Sequence, residues 1–218
     1  MTLAEELQAQ AVRSAAAATP EVNAIRQASL AAVADLPRED APKLGDVAPD
    51  FELPDATGGR VRLADLVSAG PVVVSFYRGG WCPYCNIELR ALQQALPAIT
   101  AAGGTLVAIS PDAPDSSLST AQKDDLDFAV LSDTTAATIT AYGLNFTIDS
   151  ATRAVVSDSE VERAHAEGIE TEVLPIPATY VIDSERRVTY AFADPNHTHR
   201  AVPEEIVAAV QALSNQHS

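Results

Sequence analysis

The stretch that most constrains this chain is an apolar run that leads into two closely spaced cysteines and then into a helix. Val72 to Phe76 is rich in β-branched residues, which is typical of a buried strand. Cys82-Pro83-Tyr84-Cys85 follows, and it holds the only cysteines of the sequence. Beyond Pro83 the apolar residues recur at steps of four and three, which predicts one buried helix face. These residues are Cys85, Leu89, Leu92, Leu96 and Ile99.

A C-x-x-C motif between a strand and a helix places both sulfurs in the first helical turn. The unpaired N–H groups and the positive end of the helix dipole there stabilise a thiolate. Pro83 suits the first helical position because proline has no N–H to leave unpaired. The two cysteines are close enough to form a disulfide with little movement, so the sequence predicts a redox-active dithiol.

Two other uses of the cysteines were weighed against this one. A purely structural disulfide is rare in the cytosol, where a chain without a signal peptide is expected to be. A zinc site needs about four ligands, and the sequence has no second C-x-x-C. His197 and His199 could share one face of an extended segment as additional ligands. The redox dithiol is the preferred interpretation, and we expect no metal and no cofactor.

The charge balance excludes two classes of partner. The sequence has 14 basic and 30 acidic residues and a net charge of −16, so nucleic acid and anionic membranes would repel it. No apolar run approaches the roughly 18 residues of a transmembrane helix. The N-terminus lacks the basic start and apolar centre of a signal peptide. We therefore expect a cytoplasmic protein with no nucleic-acid or membrane partner.

The sequence divides into a helical extension with a linker, residues 1–43, and one larger domain, residues 44–218. Residues 2–36 predict two helices that break near Thr19-Pro20. Their apolar stripe could pack on the chain's own domain or on a second copy, so a homodimer is one arrangement that it allows. Pro37 to Pro49 is rich in proline and charge, which favours a linker.

The larger domain has the pattern of an α/β fold. Two short strands around Gly58-Gly59 precede the strand and helix of the cysteine motif. Pro97 predicts a kink in that helix or its early end. Thr105 to Ser110 is a second buried strand, so the unit is parallel βαβ.

The pattern continues with further elements towards the C-terminus. Helices are predicted over Ser116 to Lys123, Thr134 to Tyr142 and Pro203 to Leu213, and strands over Phe128 to Leu131, Ile176 to Asp183 and Arg187 to Phe192. Residues 144–174 are polar and are interpreted as a surface insertion with a hairpin around Asp149-Ser150.

Several motifs together resemble the peroxiredoxins of the alkyl hydroperoxide reductase and thiol-specific antioxidant family. The resemblance covers roughly residues 44–192. It rests on Gly45-Asp46-x-Ala48-Pro49-Asp50-Phe51-x-Leu53, Phe76-Tyr77, Cys85 followed by Glu88, Leu131-Ser132-Asp133, Tyr142-Gly143 and Tyr180-Val181-Ile182-Asp183. It implies a thioredoxin-like fold, with a central mixed β-sheet flanked by helices, and the reduction of peroxides by a cysteine thiolate.

The chain departs from that family at two positions of the site. The resemblance puts Cys85 in the peroxidatic place, and Cys82 stands where the family has a Thr or Ser. Pro177 stands where the family has its active-site arginine, and it resembles the cis-proline of thioredoxins. Cys-Pro-Tyr-Cys is also similar to the glutaredoxin motif. We therefore expect Arg78 to act in place of the missing arginine and Pro177 to be cis.

Three functions remain open from the sequence. The first is a thiol peroxidase in which Cys85 attacks hydrogen peroxide or an organic hydroperoxide. Cys82 then closes the disulfide, and thioredoxin or a similar dithiol reduces it.

The second is a thiol–disulfide oxidoreductase in which Cys82 attacks a disulfide substrate, with Trp81, Tyr84 and Pro177 as the docking surface. The third is a non-enzymatic redox sensor. The peroxidase is preferred because the family resemblance extends far beyond the C-x-x-C.

Overall fold

A computed structural model describes residues 1–36, 38–147 and 173–215 of the 218-residue chain. Its centre is a five-stranded mixed sheet with the strand order β5-β4-β3-β8-β9. These strands are β3 (Val72–Phe76), β4 (Thr105–Ser110), β5 (Ala129–Ser132), β8 (Ala178–Ile182) and β9 (Val188–Ala193). Two small antiparallel pairs lie beside it: β1 (Glu52–Pro54) with β2 (Arg60–Arg62), and β6 (Asn145–Thr147) with β7 (Val173–Pro175).

The helices begin and end close to the predicted positions. They are α1 (Leu3–Ala16), α2 (Pro20–Ala34), α3 (Leu63–Ala69), α4 (Pro83–Ala101), α5 (Pro114–Lys123), α6 (Ala137–Ala141) and α7 (Pro203–Ser214). Thr2 caps α1 in a capping box with Glu5, and Thr19 caps α2 just before Pro20, which explains the break between these helices. None of the described helices combines the length and hydropathy needed to cross a bilayer.

The central strand positions the cysteine motif. β3 pairs in parallel with β4 and antiparallel with β8, and all five of its side chains are buried. The βαβ prediction for β3, α4 and β4 is therefore confirmed. Because β8 runs opposite to β3, its first residues lie at the carboxyl end of β3, where the cysteine loop begins. This arrangement brings Pro177, just before β8, to the same end of the sheet.

Alternate side chains of the sheet face two separate hydrophobic clusters. The first lies between the sheet and α1, α4 and α7 and includes both cysteines; the second lies under α3, α6 and the β1–β2 pair. Leu7 of α1 belongs to the first cluster and Val33 of α2 to the second. The helical extension therefore packs on the chain's own sheet through these residues.

Two sequence predictions concern the end of α4 and a hairpin in the polar insertion. Pro97 does not end its helix, because α4 continues to Ala101 and buries Ile99. The Ser214 hydroxyl of α7 donates a hydrogen bond to the Ala102 carbonyl, which holds the last turn in place. The predicted hairpin around Asp149-Ser150 lies outside the described residues, as does most of the insertion.

Candidate active site

The N-terminus of α4 carries the two cysteines as the sequence predicts. Cys82 is the N-cap residue, with extended backbone angles, and Pro83 is the first helical residue. Cys85 follows at the third helical position, within the same first turn. Both sulfurs therefore lie where the unpaired amides and the helix dipole favour a thiolate.

The loop before Cys82 is fixed by buried hydrogen bonds. The Gly80 amide donates to Asp112 Oδ2 at 2.8 Å, and Asn86 Nδ2 donates to the Gly80 carbonyl at 3.0 Å. Gly79 has a φ of 141°, and a Cβ at this residue would collide with the indole of Trp81. The loop can therefore turn tightly from β3 into α4 only with glycine at this position.

Both cysteines are reduced, and both are almost completely buried. Cys82 is 1% exposed and Cys85 is 0% exposed. Neither sulfur is therefore accessible to a large reactant in this structure. Trp81 and Tyr84 flank Cys82 and Cys85 in the packed cluster, and they shield the thiol pair from bulk water.

Arg200 is the arginine that bonds to a cysteine sulfur. Its Nη2 donates to Cys85 Sγ at 3.4 Å, and its Nε donates to Glu88 Oε2 at 2.5 Å. Its Nη1 donates to the carbonyls of His197 and His199. The side chain is 0% exposed and that of Glu88 is 3% exposed, so the ion pair is buried. Three fixed acceptors, namely Glu88 and the two backbone carbonyls, therefore hold the guanidinium against Cys85.

The two thiols titrate as one unit, and their positions favour different protonation states. A hydrogen bond from Cys85 lowers the pKa of Cys82 to about 6, and the charges of Arg78 and Arg200 act in the same direction. Burial raises the pKa of Cys85, and the bond to Cys82 and its charge add to this. At rest the negative charge is therefore centred on Cys82, with the proton on Cys85.

Burial also raises the pKa of Glu88, to about 7, although the charge of Arg200 opposes this rise. Burial lowers the pKa of Arg200, but the charges of Glu88, Cys85 and Cys82 and the bond to Cys85 together raise it by more, so the guanidinium remains charged at any relevant pH. At neutral pH Glu88 is thus only partly ionised. The positive charge beside Cys85 is then only partly neutralised.

Arg78 lies near the cysteines but makes a different contact from the one that we predicted. Its guanidinium carbon is 4.9 Å from the centroid of the Trp81 ring, which is a cation–π contact. No described hydrogen bond joins its guanidinium to either sulfur, and its Nε is buried without a partner, although its backbone N–H donates to Cys85. Arg78 therefore acts on Cys82 through its charge, whereas Arg200 bonds directly to Cys85.

Tyr84 and Pro177 lie beside the same cavity near the C-x-x-C turn. Tyr84 is 7% exposed and packs edge-on against His197, with ring centroids 5.4 Å apart. The prediction that Pro177 is cis is wrong, since the described residues contain no cis peptide bond. The Ile176 amide donates a hydrogen bond to the Leu144 carbonyl. The chain therefore runs extended from β7 into β8, and the trans bond before Pro177 keeps it extended.

The predicted residues Arg78, Trp81, Cys82, Tyr84 and Cys85 lie together at one end of the sheet, with Pro177 beside them. The sequence analysis missed Arg200 and the role of Glu88, and it considered His197 only as a ligand for zinc. One signal was present: Glu88 lies one turn after Cys85 on the buried face of α4, where a carboxylate requires a cation. Nothing local indicated that the cation is Arg200, which follows β9.

The described residues contain no group of three or more His, Cys, Asp or Glu side chains that could hold a metal ion. His199 Nδ1 donates a hydrogen bond to Asp194 Oδ2 at 2.8 Å, and His197 packs on Tyr84. The arrangement has instead the parts of a thiol redox centre. It holds one thiolate, one neighbouring thiol and a fixed guanidinium that can bind oxygen atoms next to Cys85.

Comparison with known proteins agrees with this geometry. The chain is 36% identical over 91 residues to the peroxiredoxin Bcp of Escherichia coli, which is 42% of this chain and 58% of that protein. The chain thus spans less than two thirds of that relative. The peroxidoxin BcpB of Mycobacterium tuberculosis has a similar structure, with a TM-score of 0.64 and 25% identity, over 79% of this chain and 98% of that one.

A more distant structure supports the fold. The 2-Cys peroxiredoxin of Plasmodium vivax matches with a TM-score of 0.61 and 20% identity, over 80% of this chain and 83% of that one. The thioredoxin-like fold is therefore confirmed. The family model of the AhpC/TSA family matches residues 44–191, which is more than half of the chain. The helical extension lies outside this match, and the chain belongs to the AhpC/TSA family.

Proposed function

We propose that this protein is a thiol peroxidase that reduces hydrogen peroxide or organic hydroperoxides through a cycle of Cys82 and Cys85. The observation that carries the proposal is the hydrogen bond from Arg200 Nη2 to Cys85 Sγ, at 3.4 Å. A fixed cation at the attacking sulfur can also bind the peroxide oxygens, where negative charge develops as the O–O bond breaks. Membership of the AhpC/TSA family supports the same reaction.

The first step joins the sulfur of Cys85 to an oxygen of the peroxide. The proton of Cys85 passes along its hydrogen bond to Cys82, and the Cys85 thiolate attacks the terminal oxygen. An S–O bond forms and the O–O bond breaks, so the sulfur is oxidised to a sulfenic acid. The leaving alkoxide, or hydroxide from hydrogen peroxide, takes the proton from Cys82, which becomes a thiolate again.

The second step closes the disulfide. The Cys82 thiolate attacks the sulfenic sulfur of Cys85, an S–S bond forms, and the hydroxyl group leaves as water after taking up a proton. Cys82 is suited to this role because Arg78 and Arg200 favour its thiolate. A reduced dithiol protein of the thioredoxin type, as found in the cytoplasm, then returns two electrons and two protons to the pair.

The burial of both sulfurs favours a small oxidant. A peroxide molecule can enter between side chains, whereas a protein disulfide has to reach Cys82 behind Trp81 and Tyr84, which are each 7% exposed.

One observation does favour thiol–disulfide exchange as a second candidate function, namely the low pKa of Cys82. In that reaction Cys82 attacks the substrate disulfide, and Cys85 releases the mixed disulfide.

A stopped-flow comparison tests the proposal. The reduced protein is mixed in turn with hydrogen peroxide, an organic hydroperoxide and a small model disulfide, and the loss of thiol is followed. We expect a peroxide to react fastest and to yield one intramolecular disulfide, seen by mass spectrometry as the loss of two hydrogen atoms. Faster reaction with the model disulfide than with either peroxide would overturn the peroxidase assignment.

A further inference from the structure

A cavity of about 180 Å³ lies between the helical extension and the C-x-x-C turn. Its wall on the cysteine side includes Arg78, Tyr84, Pro177 and His197. The opposite wall is formed by α1 and α2, which lie outside the residues that the family model matches. The cavity is therefore built partly from a segment that is not explained by membership of the family.

The lining has an unusual charge for this protein. The chain has 30 acidic and 14 basic residues, yet the charged side chains of the described lining are Arg26 and Arg78, and none is acidic. Two guanidinium groups at one small cavity create a local positive field in a protein that is otherwise negative. Such a field attracts an anion and opposes the binding of a cation.

Both arginines keep unused hydrogen-bond donors. Arg26 donates one hydrogen bond within the described residues, from Nη1 to the Ser14 carbonyl at 3.4 Å, which is long for such a contact. Arg78 stacks on Trp81 while its Nε is buried without an acceptor. Among the described residues neither arginine has a carboxylate partner, whereas Arg200 is paired with Glu88. A bound anion would satisfy donors that the protein leaves open.

The histidine of the cavity contributes no charge of its own at neutral pH. Burial lowers the pKa of His197, and the charges of Arg78, Arg200 and Arg26 lower it further. A neutral imidazole can still donate one N–H to an oxygen atom. The positive charge of the cavity therefore comes from the arginines and does not depend on protonation of His197.

We propose that this cavity is a subsite for the carboxylate group of a small substrate of the cysteine pair, with Arg26 and Arg78 as its positive groups. This inference rests on the proposed function, since it assumes that a substrate reacts at Cys82 or Cys85. The carboxylate belongs either to the organic hydroperoxide or to a small thiol that reduces the disulfide. Arg26 is then a specificity residue that the helical extension adds to the site.

The size and the lining select a small carboxylate. The volume is below the roughly 300 Å³ at which sites for drug-sized ligands begin, so it fits a carboxylate with a short carbon skeleton. Guanidinium groups bind the two oxygens of a carboxylate in a planar arrangement. The remaining wall offers apolar contacts to the skeleton from Leu30, Val33, Phe146 and Pro177.

The subsite can be tested without catalysis by the binding of a carboxylate that does not react with the cysteines. Benzoate and the uncharged benzyl alcohol are titrated into the reduced protein by calorimetry, and the fluorescence of Trp81, the only tryptophan, is followed in parallel. We expect benzoate to bind and benzyl alcohol to bind at least about tenfold more weakly, as loss of a charged hydrogen bond predicts.

Variants of the helical extension localise this binding. Arg26→Gln should weaken benzoate about tenfold, and Arg26→Lys, which keeps the charge, should weaken it less. Arg13→Gln is the matched control, because Arg13 is exposed on α1, bonds to Gln10 and does not line the cavity. Equal binding of benzoate and benzyl alcohol, or equal losses in Arg26→Gln and Arg13→Gln, would overturn the subsite.

Two kinetic arms identify the source of the carboxylate. The first compares a carboxylate-bearing alkyl hydroperoxide with its methyl ester as oxidant; the second compares 3-mercaptopropionate with its methyl ester as reductant of the disulfide form. We expect the acid to be preferred in one arm, with the ratio of kcat/KM values falling about tenfold in Arg26→Gln but not in Arg13→Gln.

The outcomes separate the subsite from the proposed function. No preference for the acid in either arm overturns the subsite even if the esters react rapidly. If no peroxide reacts at all, the proposed function fails, while benzoate binding that depends on Arg26 still supports an anion subsite beside the cysteines.

Discussion

The two cysteines lie within the first turn of one helix, but the cations beside them are held very differently. Arg200, beside Cys85, is fully buried and donates to Glu88, to two backbone carbonyls and to the sulfur. Arg78, beside Cys82, is half-buried, stacks on Trp81 and leaves its Nε without a partner. The comparison teaches that the site separates two tasks: one sulfur carries the resting charge, and the other lies against a preorganised cation.

This difference has a physical consequence for the reaction. A guanidinium that is already held by fixed acceptors needs no reorganisation when charge develops on the peroxide oxygens. The half-buried Arg78 has to give up part of its contact with Trp81 or water to do the same. We therefore expect substitutions on the Cys85 side to reduce the rate of peroxide attack more than those on the Cys82 side.

The largest effect is expected for Arg200→Met. It removes the donor beside Cys85, and loss of one such preorganised donor lowers rates by about 10² to 10³-fold. Arg78→Met should cost about tenfold, because Arg78 acts through its charge alone. Stopped-flow measurement of peroxide consumption compares the two variants.

Arg90→Met is the control for this comparison, since Arg90 lies on α4, the helix of the cysteines, and likewise pairs with a buried carboxylate, that of Asp124. Arg200→Met also leaves Glu88 without its partner, so a thermal melt checks that the variant is folded. Equal losses in folded Arg200→Met and Arg78→Met would break the distinction between the two sides.

The pH dependence of the first step is the next largest effect. The pKa of Cys82 is lowered to about 6, so the pair loses its first proton near that pH. Below this pH both sulfurs are protonated and peroxide attack should fall about tenfold for each pH unit. Above it the rate should be level through neutral pH.

Single-turnover rates between about pH 4 and about pH 8, roughly two units on either side of the predicted midpoint, give this profile. A midpoint near the usual pKa of a free thiol would show that the surroundings of the pair do not stabilise the thiolate.

Glu88→Gln should have a smaller effect, and it should stabilise the thiolate of the cysteine pair instead of destabilising it. The amide keeps an oxygen acceptor for Arg200 but removes the charge that partly neutralises it. We expect the apparent pKa of the cysteine pair to fall by about one unit. The ultraviolet absorbance of the thiolate during a pH titration measures this shift. An unchanged or higher pKa would mean that Glu88 does not moderate the charge of Arg200.

The smallest effect is expected for Trp81→Phe on the Cys82 side. Phenylalanine keeps a ring face but offers Arg78 a weaker cation–π contact, worth about 0.5–1 kcal/mol at a partly exposed position. The rate of disulfide closure, followed after sulfenic acid formation, should therefore change by no more than about fivefold. A change as large as that of Arg200→Met would contradict the inference that the contact of Arg78 with Trp81 is weak.

Much of the fold could be predicted from periodicity and turn chemistry. The run Val72–Phe76 and the stripe from Cys85 to Ile99 fixed the βαβ unit, because these patterns depend only on neighbours in sequence. Pro97 does not shorten α4, which continues to Ala101, since packing of α4 on α7 and the bond from Ser214 override a local preference.

The site could be predicted only in part, for a physical reason. The cysteine turn is local, whereas Arg200 is 115 residues from Cys85 in sequence and reaches it through the order of strands in the sheet. Glu88 on a buried helix face required some cation, but 14 basic residues were candidates. Arg78 was chosen because it is close in sequence, which does not determine which guanidinium lies closest to a sulfur.

The central claim is that Cys85, beside Arg200, attacks the peroxide and that Cys82 closes the disulfide. Single-turnover experiments on the reduced Cys82→Ser and Cys85→Ser variants test it directly. In Cys82→Ser the bond and the charge that raise the pKa of Cys85 are removed, while Arg200 remains. Its thiolate should therefore still form.

We predict that Cys82→Ser consumes one equivalent of peroxide and stops as a sulfenic acid on Cys85, which a dimedone label identifies by mass spectrometry. Cys85→Ser should consume none, and neither variant should turn over. Consumption of peroxide by Cys85→Ser alone, with the sulfenic acid on Cys82, would contradict the account.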